Sequence, residues 1–445
     1  MLILVAYLVD QSVIMLISCG VEKNKYDFEE LTQHLLGDYG YYATTAFMFI
    51  FAYGAQVAYM VIIGDTIPIV LRNAYGDEGN LPSREFIMSM FSIFIILPLC
   101  LLKHLSSLAK TSSLSVLSDC ILVLIIISNS FREGDRQGID TGVSGSSIIS
   151  PTIFAGIGTI SFAFVCQHNS FLVFKSLKEP TLENWRSVAH ISVGVSLSLS
   201  LLLGIMGYLS FKETTHGDIL TNFPDTNRSI NAARVLLAMC MTFVYPMECY
   251  VSRHCICSII DKMRDKNAKA SNKANDFFGN IEFVFSALND QSTSSSSSSS
   301  SSSVRLGSQP SPTESTEVYS LDALTKIKCE DNNIIRTSVS LLLWGSSLLI
   351  AIASGNLGIV LALTGALAAS FLGFVIPGVL YLKTYEEDVR RKLEAFKVGS
   401  STYEPDFSLR LASMQDYYLP AFMIVFGGVL CILGVSTVLS GADGE

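Results

Sequence analysis

Residues 151–175 read PTIFAGIGTISFAFVCQHNSFLVFK, a run with no charge before Lys175. At 1.5 Å per residue such a helix spans about 30 Å of hydrocarbon. Its first half carries Gly156 and Gly158, and its middle carries Gln167, His168, Asn169 and Ser170 in a row. Polar side chains at membrane depth are costly unless they face a cavity or one another. Asn and Ser also favour helix N-caps, where a side-chain oxygen takes up free N–H groups. The economical reading is a helix that stops near residues 163–166 and restarts near Asn169. An interrupted membrane helix offers carbonyls from one half and N–H groups from the other, which suits a zwitterion or a small ion. A continuous helix whose polar side chains bond to neighbouring helices is the alternative.

The rest of the chain fits a membrane setting. Of 445 residues, 50% are apolar and 16% charged, against about a quarter charged in ordinary soluble domains. Charge-free runs predict ten transmembrane helices, at about 1–19, 41–71, 85–102, 113–131, 151–175, 187–211, 231–260, 336–354, 356–382 and 417–439. Runs 41–71 and 231–260 exceed the bilayer thickness and must tilt, kink or project into water. No strand alternation suggests a barrel, so the fold class is an all-α polytopic membrane protein. A soluble enzyme is excluded. With 39 acidic and 30 basic side chains and a net charge of −9, no broad basic face for nucleic acid exists. The 10 cysteines lie mostly in apolar runs, so neither a disulfide framework nor a metal site is expected.

Orientation follows Lys and Arg in the connections. Short loops alone barely decide, with seven on one side and six on the other. Arg253, Lys262, Arg264, Lys266, Lys269 and Lys273 crowd the end of the seventh helix and make that side cytoplasmic. Asn227-Arg228-Ser229, a glycosylation sequon, then faces outside. Three parts follow: helices one to seven in 1–260, a disordered Ser-rich cytoplasmic loop in 261–334, and helices eight to ten in 335–445. The loop holds Ser294 to Ser303 without interruption, and such a stretch cannot bury enough surface to offset its ordering entropy. Met1 opens inside an apolar run with no basic leader, and Asp10 interrupts that run. One more helix is expected upstream.

The same residues carry a resemblance. SFAFVCQHNSFLVF at 161–174, with LKEPT at 177–181 and Trp185, closely resembles the sixth helix of the sodium-coupled neutral amino acid transporter family. That family belongs to the amino acid/auxin permease superfamily, and the chain is more distantly similar to fungal vacuolar amino acid transporters. Gly64-Asp65-Thr66, Tyr245-Pro246-Met247-Glu248, GIVLALTG at 358–365 and FVIPG at 374–378 extend it over nearly the whole chain outside the serine-rich loop. The resemblance implies a five-plus-five inverted repeat plus one helix, a LeuT-like transporter bundle. Tyr7 to Asp10 would then lie in the family's second helix, with the first absent from this sequence.

It also implies secondary active transport of small neutral amino acids by alternating access, coupled to sodium or protons, with Na⁺ or H⁺ as coupling ion and no other cofactor. Candidate substrate-binding residues are Phe162, Ala163, Phe164, Cys166, His168, Asn169 and Ser170, the phenylalanines as apolar walls. Thr242 is the candidate ion-coupling residue, set against a hydroxyl bonded to the carbonyl four residues back. Partners are the amino acid and the lipid bilayer, in a plasma, lysosomal or vacuolar membrane. Pro246 is expected to kink its helix. Glu248 is expected to pair with Arg253 or to take part in proton coupling, and Asp65 to cap or gate. Gly365, Ala366, Ala368, Ala369, Ser370 and Gly373 read as close helix packing. Two other classes compete with transport: an amino-acid sensor signalling through the cytoplasmic loop, and an intramembrane acyltransferase using His168 with Asn169. No Walker-type loop supports an ATP-driven pump.

Overall fold

The computed structural model describes residues 1–75, 82–102, 109–137, 153–293, 329–354, 357–386 and 407–440. The serine run, Pro151 and Thr152 lie outside the described residues, among which there is no strand. The chain divides into two compact units, one of Met1–Cys255 with Ser338–Glu445 and one of Ile256–Thr337.

The first unit is a helical bundle. Helices α1 (Leu2–Lys23) and α2 (Phe28–Tyr75) open it. Next, α3 (Arg84–Phe91) passes through a π-helical turn, Ser92–Ile96, into α4 (Leu97–Cys100). Then come α5 (Ala109–Gln137), α6 (Ile153–Phe164), α7 (Gln167–Ser176), α8 (Leu182–Phe211) and α9, which begins at Arg228 and runs to Thr293. After α10 (Asn333–Ser354) and α11 (Leu357–Thr364), two π-helical turns, Gly365–Ala369 and Phe371–Val375, lead into α12 (Ile376–Thr384). Helix α13 (Phe407–Leu439) closes the bundle. Among the described residues, 8 helical stretches are long and apolar enough to cross a membrane. The other two expected crossings are helical but shorter: α3 to α4 contains Pro98 and a π turn, and the apolar part of α5 is Ser115–Ser130.

Local chemistry sets the ends. Asn24 terminates α1 with φ 52°, the left-handed conformation that Asn tolerates, and Lys25 N–H bonds Gly20 O at 2.8 Å. Thr181 caps α8 by accepting from Asn184 N–H at 3.3 Å. The length of α2, 48 residues, is resolved by a kink at Gly37, whose φ of 73° and ψ of −163° suit glycine. Asn227 caps α9, its Oδ1 accepting from Ser229 N–H at 3.0 Å. Its Nδ2 donates to Asn129 Oδ1 at 2.9 Å, so the sequon's amide nitrogen is engaged in the fold.

Helix α1 runs through the centre, with Val5, Leu8, Val9, Leu16 and Ile17 fully buried. In lipid the tails are as apolar as Leu, so burial alone does not hold helices together, and close packing of small residues does more. A Cβ at Gly365 would fall on the Gly158 carbonyl, and one at Gly158 would meet Ala362 O at 2.9 Å. The backbones of α6 and the first π turn therefore touch directly. Facing outward, α8 exposes Ile191, Val195, Leu202 and Ile205, as a lipid-facing helix does.

The part of α9 in the second unit is helical to Thr293, whereas composition predicts a disordered loop from 261 onward. The stretch 261–293 has no proline and many Lys, Ala and Asn residues, and Asp261 pairs with Arg264 at 3.9 Å one turn on. Asp261 also accepts from Cys329 N–H at 3.0 and 3.1 Å.

Candidate functional site

The fifth apolar stretch is interrupted. Helix α6 ends at Phe164 and α7 begins at Gln167, with Cys166 between them at φ −132°, ψ 11°. Such a break leaves the last carbonyls of one helix and the first N–H groups of the next without intrahelical partners. The restart falls two residues before the expected Asn169, and Gln167 explains why. Its Oε1 accepts from Cys166 N–H at 3.0 Å, which ties down the break, while no side chain, Asn169 included, caps the first turn of α7. Its Nε2 donates to Ser12 Oγ on α1 at 3.0 Å, and Ser12 Oγ donates to the Gly373 carbonyl in the second π turn. A Cβ at Gly373 would lie 2.7 Å from Val165 Cγ2, so the break is wedged against that turn. Three helices thus hold one non-helical dipeptide, and Gln167 and Ser12 are both fully buried.

The sequence-derived residues divide around this point. Phe162 packs on Phe51 of α2 with ring centroids 5.2 Å apart, and His168 packs on the same ring at 4.8 Å. Phe164 is a buried member of the same hydrophobic core, against which Phe162 packs half-buried. Two residues apart on a helix is about 200°, so the two phenylalanines cannot wall one pocket. Ala163 and Cys166 are exposed at the break. Asn169 Nδ2 sits 2.8 Å from His168 Nε2, and Ser170 Oγ donates to Cys166 O at 3.0 Å. Thr242 lies apart on α9, its hydroxyl donating to Ala238 O at 2.6 Å, the local bond weighed against an ion role.

Glu248 does not bond Arg253. It faces His168, with Oε1 3.5 Å from His168 Nε2, and its backbone carbonyl takes a 3.4 Å bond from the buried Gln56. Arg253 donates to Ser340 Oγ at 2.9 Å and lies over the Tyr250 ring at 5.3 Å. Asp65 makes a two-donor pair with Arg84 (Nε 2.9 Å, Nη2 2.7 Å), tying α2 to α3 as a gate contact would. Asp10, for which the sequence offered no partner, meets His190 Nδ1 at 2.9 Å.

A cavity of about 180 Å³ runs beside the second half-helix, lined among others by Asp27, Glu29, His168, Asn169, Lys175 and His254. It reaches from His168 and Asn169 near the break to the Lys175–Asp27 pair, 2.6 Å apart and half exposed. Phe51, Ser12 and Glu29 gave no sequence signal, because each sits singly among apolar or local neighbours. Gln167 was visible as part of the polar row, but its role depends on Ser12, 155 positions away.

The fifth stretch is thus two helices parted at Val165–Cys166, with a cavity bordering α7 just beyond the break, and comparison with known proteins shows the family. Residues 1–398 match the family described as transmembrane amino acid transporter protein. Sodium-coupled neutral amino acid transporter 11 of Mus musculus is 27% identical over 423 residues, covering 94% of this chain and 78% of the relative. Its Homo sapiens counterpart is 26% identical, covering 99% of this chain and 88% of its own length. Vacuolar amino acid transporter 2 of Saccharomyces cerevisiae is 31% identical over 278 residues, or 60% of this chain and 58% of that one. The acyltransferase reading falls, and the chain is a multi-pass membrane protein of the transmembrane amino acid transporter family.

Proposed function

We propose that the protein carries small neutral amino acids by alternating access, driven by a sodium or proton gradient. The observation that supports this best is the two-residue break at Val165–Cys166, held open by Gln167 and Ser12. The first-turn N–H groups of α7 take the substrate carboxylate, and the last carbonyls of α6 take its ammonium group. Phe162 supplies an apolar wall, Ala163 and Cys166 the exposed floor, and His168, Asn169 and Ser170 the polar rim. Thr242 keeps lone pairs on its hydroxyl oxygen that a coupling cation can use. The ten expected crossings, α3–α4 and α5 among them, belong to a bundle built on a five-plus-five inverted repeat plus one helix, and are not by themselves the whole repeat. The membrane is a plasma, lysosomal or vacuolar one, and the loop of 261–334 faces the cytoplasm.

Uptake of tritiated glutamine, alanine or serine into proteoliposomes, with and without sodium or pH gradients, tests this. Gradient-dependent accumulation is expected, and no accumulation of any of the three under either gradient refutes it. The separate unit Ile256–Thr337 favours one second reading, a sensor reporting site occupancy through that segment. Deleting 270–330 should leave a carrier's uptake intact, whereas a sensor loses its partner.

A further inference from the structure

Three acid–base pairs lie along the cavity beside α7, and of their six members all but the buried Glu248 line it. Lys175–Asp27 lies at the mouth at 2.6 Å with side chains 44% and 52% exposed. His254–Glu29 follows at 3.6 Å, the carboxylate 9% exposed. His168–Glu248 is innermost at 3.5 Å, with side chains only 4% and 7% exposed. At that innermost pair His168 Nδ1 and Glu248 Oε2 are both buried without a hydrogen-bond partner. We propose that His168 and Glu248 together form a proton-binding site, that they take up one proton from the cytoplasmic cavity, and that its occupancy is the coupling step. The inference rests on the transport reading above.

The charge count drives the argument. With both groups deprotonated, the pair holds a bare carboxylate out of water, and one of its oxygens has no donor. No neighbouring charged group bonds Glu248, although the partners of Arg253 are neutral and leave its charge uncancelled. Arg253 is engaged by Ser340, Cys100 O and the Tyr250 ring. Lys175 is held by Asp27 and His254 by Glu29. On α1, Asp10 is committed to His190. Tyr59 on α2 is within electrostatic range of Glu248 and is uncharged. A single proton makes the pair neutral overall, whether it sits on the imidazole, giving an imidazolium–carboxylate pair, or on the carboxyl, donating to Nε2. The two groups therefore hold that one proton jointly. When the imidazole holds it, Asn169 turns its amide so that Oδ1 accepts where Nδ2 now donates at 2.8 Å.

The location couples this to substrate. His168 is the second residue of α7, so a net negative charge there opposes a carboxylate arriving at the same helix N-terminus. A bound proton removes that repulsion, and by linkage a bound carboxylate raises proton affinity equally. One proton then enters with each amino acid. The Glu29–His254 pair, partway along the same cavity, relays protons between bulk water and the inner pair.

The test uses the protein in proteoliposomes with tritiated L-glutamine as probe. For the wild type, the apparent affinity in gradient-free exchange should rise as pH falls, approaching about tenfold per pH unit. Glutamine addition should also acidify an entrapped pH dye, one proton per glutamine. Glu248→Gln should make the affinity independent of pH and abolish acidification, and His168→Gln should flatten the same profile. Net glutamine uptake with no acidification in the wild type overturns the proton site while leaving transport standing, as does a pH-dependent Glu248→Gln. Absence of exchange in the wild type removes the transport reading itself. The wild-type acidification decides the matter even if either variant fails to fold.

Discussion

Removing Gln167 is the sharpest perturbation of the break, and its cost can be worked from the contacts. Gln167→Leu keeps the volume and deletes two bonds, from Cys166 N–H at 3.0 Å and to Ser12 Oγ at 3.0 Å. Ser12 still donates to Gly373 O, so its loss is one accepted bond. An orphaned buried donor costs about 1–3 kcal/mol. Because Cys166 is exposed, water recovers part of this, which leaves about 1–2 kcal/mol, or a factor of roughly 5–30 in the population with an ordered break. Ser12→Ala removes the other end of the chain. If the three groups act as one, the double variant costs less than the sum, with an interaction of at least about 0.5 kcal/mol. Thermal unfolding midpoints in detergent and the glutamine affinity of all four proteins complete the cycle. Additivity in both readouts, with unchanged affinity in the single variants, would refute the view that this chain holds the binding geometry.

Gly365→Ala should cost about 1–3 kcal/mol through overpacking, because its Cβ lands on the Gly158 carbonyl; the unfolding midpoint reports it. Arg234, fully buried, donates to Leu220 O at 2.9 Å and Phe223 O at 3.2 Å. Arg234→Ala should orphan both carbonyls at about 1–3 kcal/mol each and make the 212–227 connection more sensitive to limited proteolysis. Burial, and to a lesser degree nearby Asp65, raise the Asp218 carboxyl above its ordinary range. The folded state then binds more protons than the unfolded one, so this contribution is full below about pH 4 and is lost as pH rises through the raised value. Asp218→Asn should flatten that part of a stability–pH curve.

Much of the fold was legible because lipid imposes a simple code. Long charge-free runs become helices, since a backbone without water must satisfy itself. The run 417–439 and the span Tyr417–Leu439 coincide for that reason. The break could be placed to within a few residues, because four polar side chains in a row have no other economical setting. What the sequence did not disclose was tertiary pairing. Gln167 rather than Asn169 holds the break, through Ser12, and Glu248 faces His168 rather than Arg253, five residues on and on another face of α9, through the packing of α7 on Phe51. The helical reach of α9 to Thr293 was hidden by polar composition, which reads alike for a loop and a solvated helix.

A solute is expected to bind at the break between α6 and α7, and a native thiol, Cys166, stands there to report it. Cys166 is exposed, whereas the other nine cysteines are buried or partly so. The most direct measurement is the rate at which a small water-soluble thiol reagent modifies Cys166, followed by peptide mass spectrometry, with and without saturating glutamine. The account predicts that Cys166 reacts first and that glutamine slows it severalfold. A Cys166 that stays unmodified, or reacts at the same rate in both conditions, would contradict it.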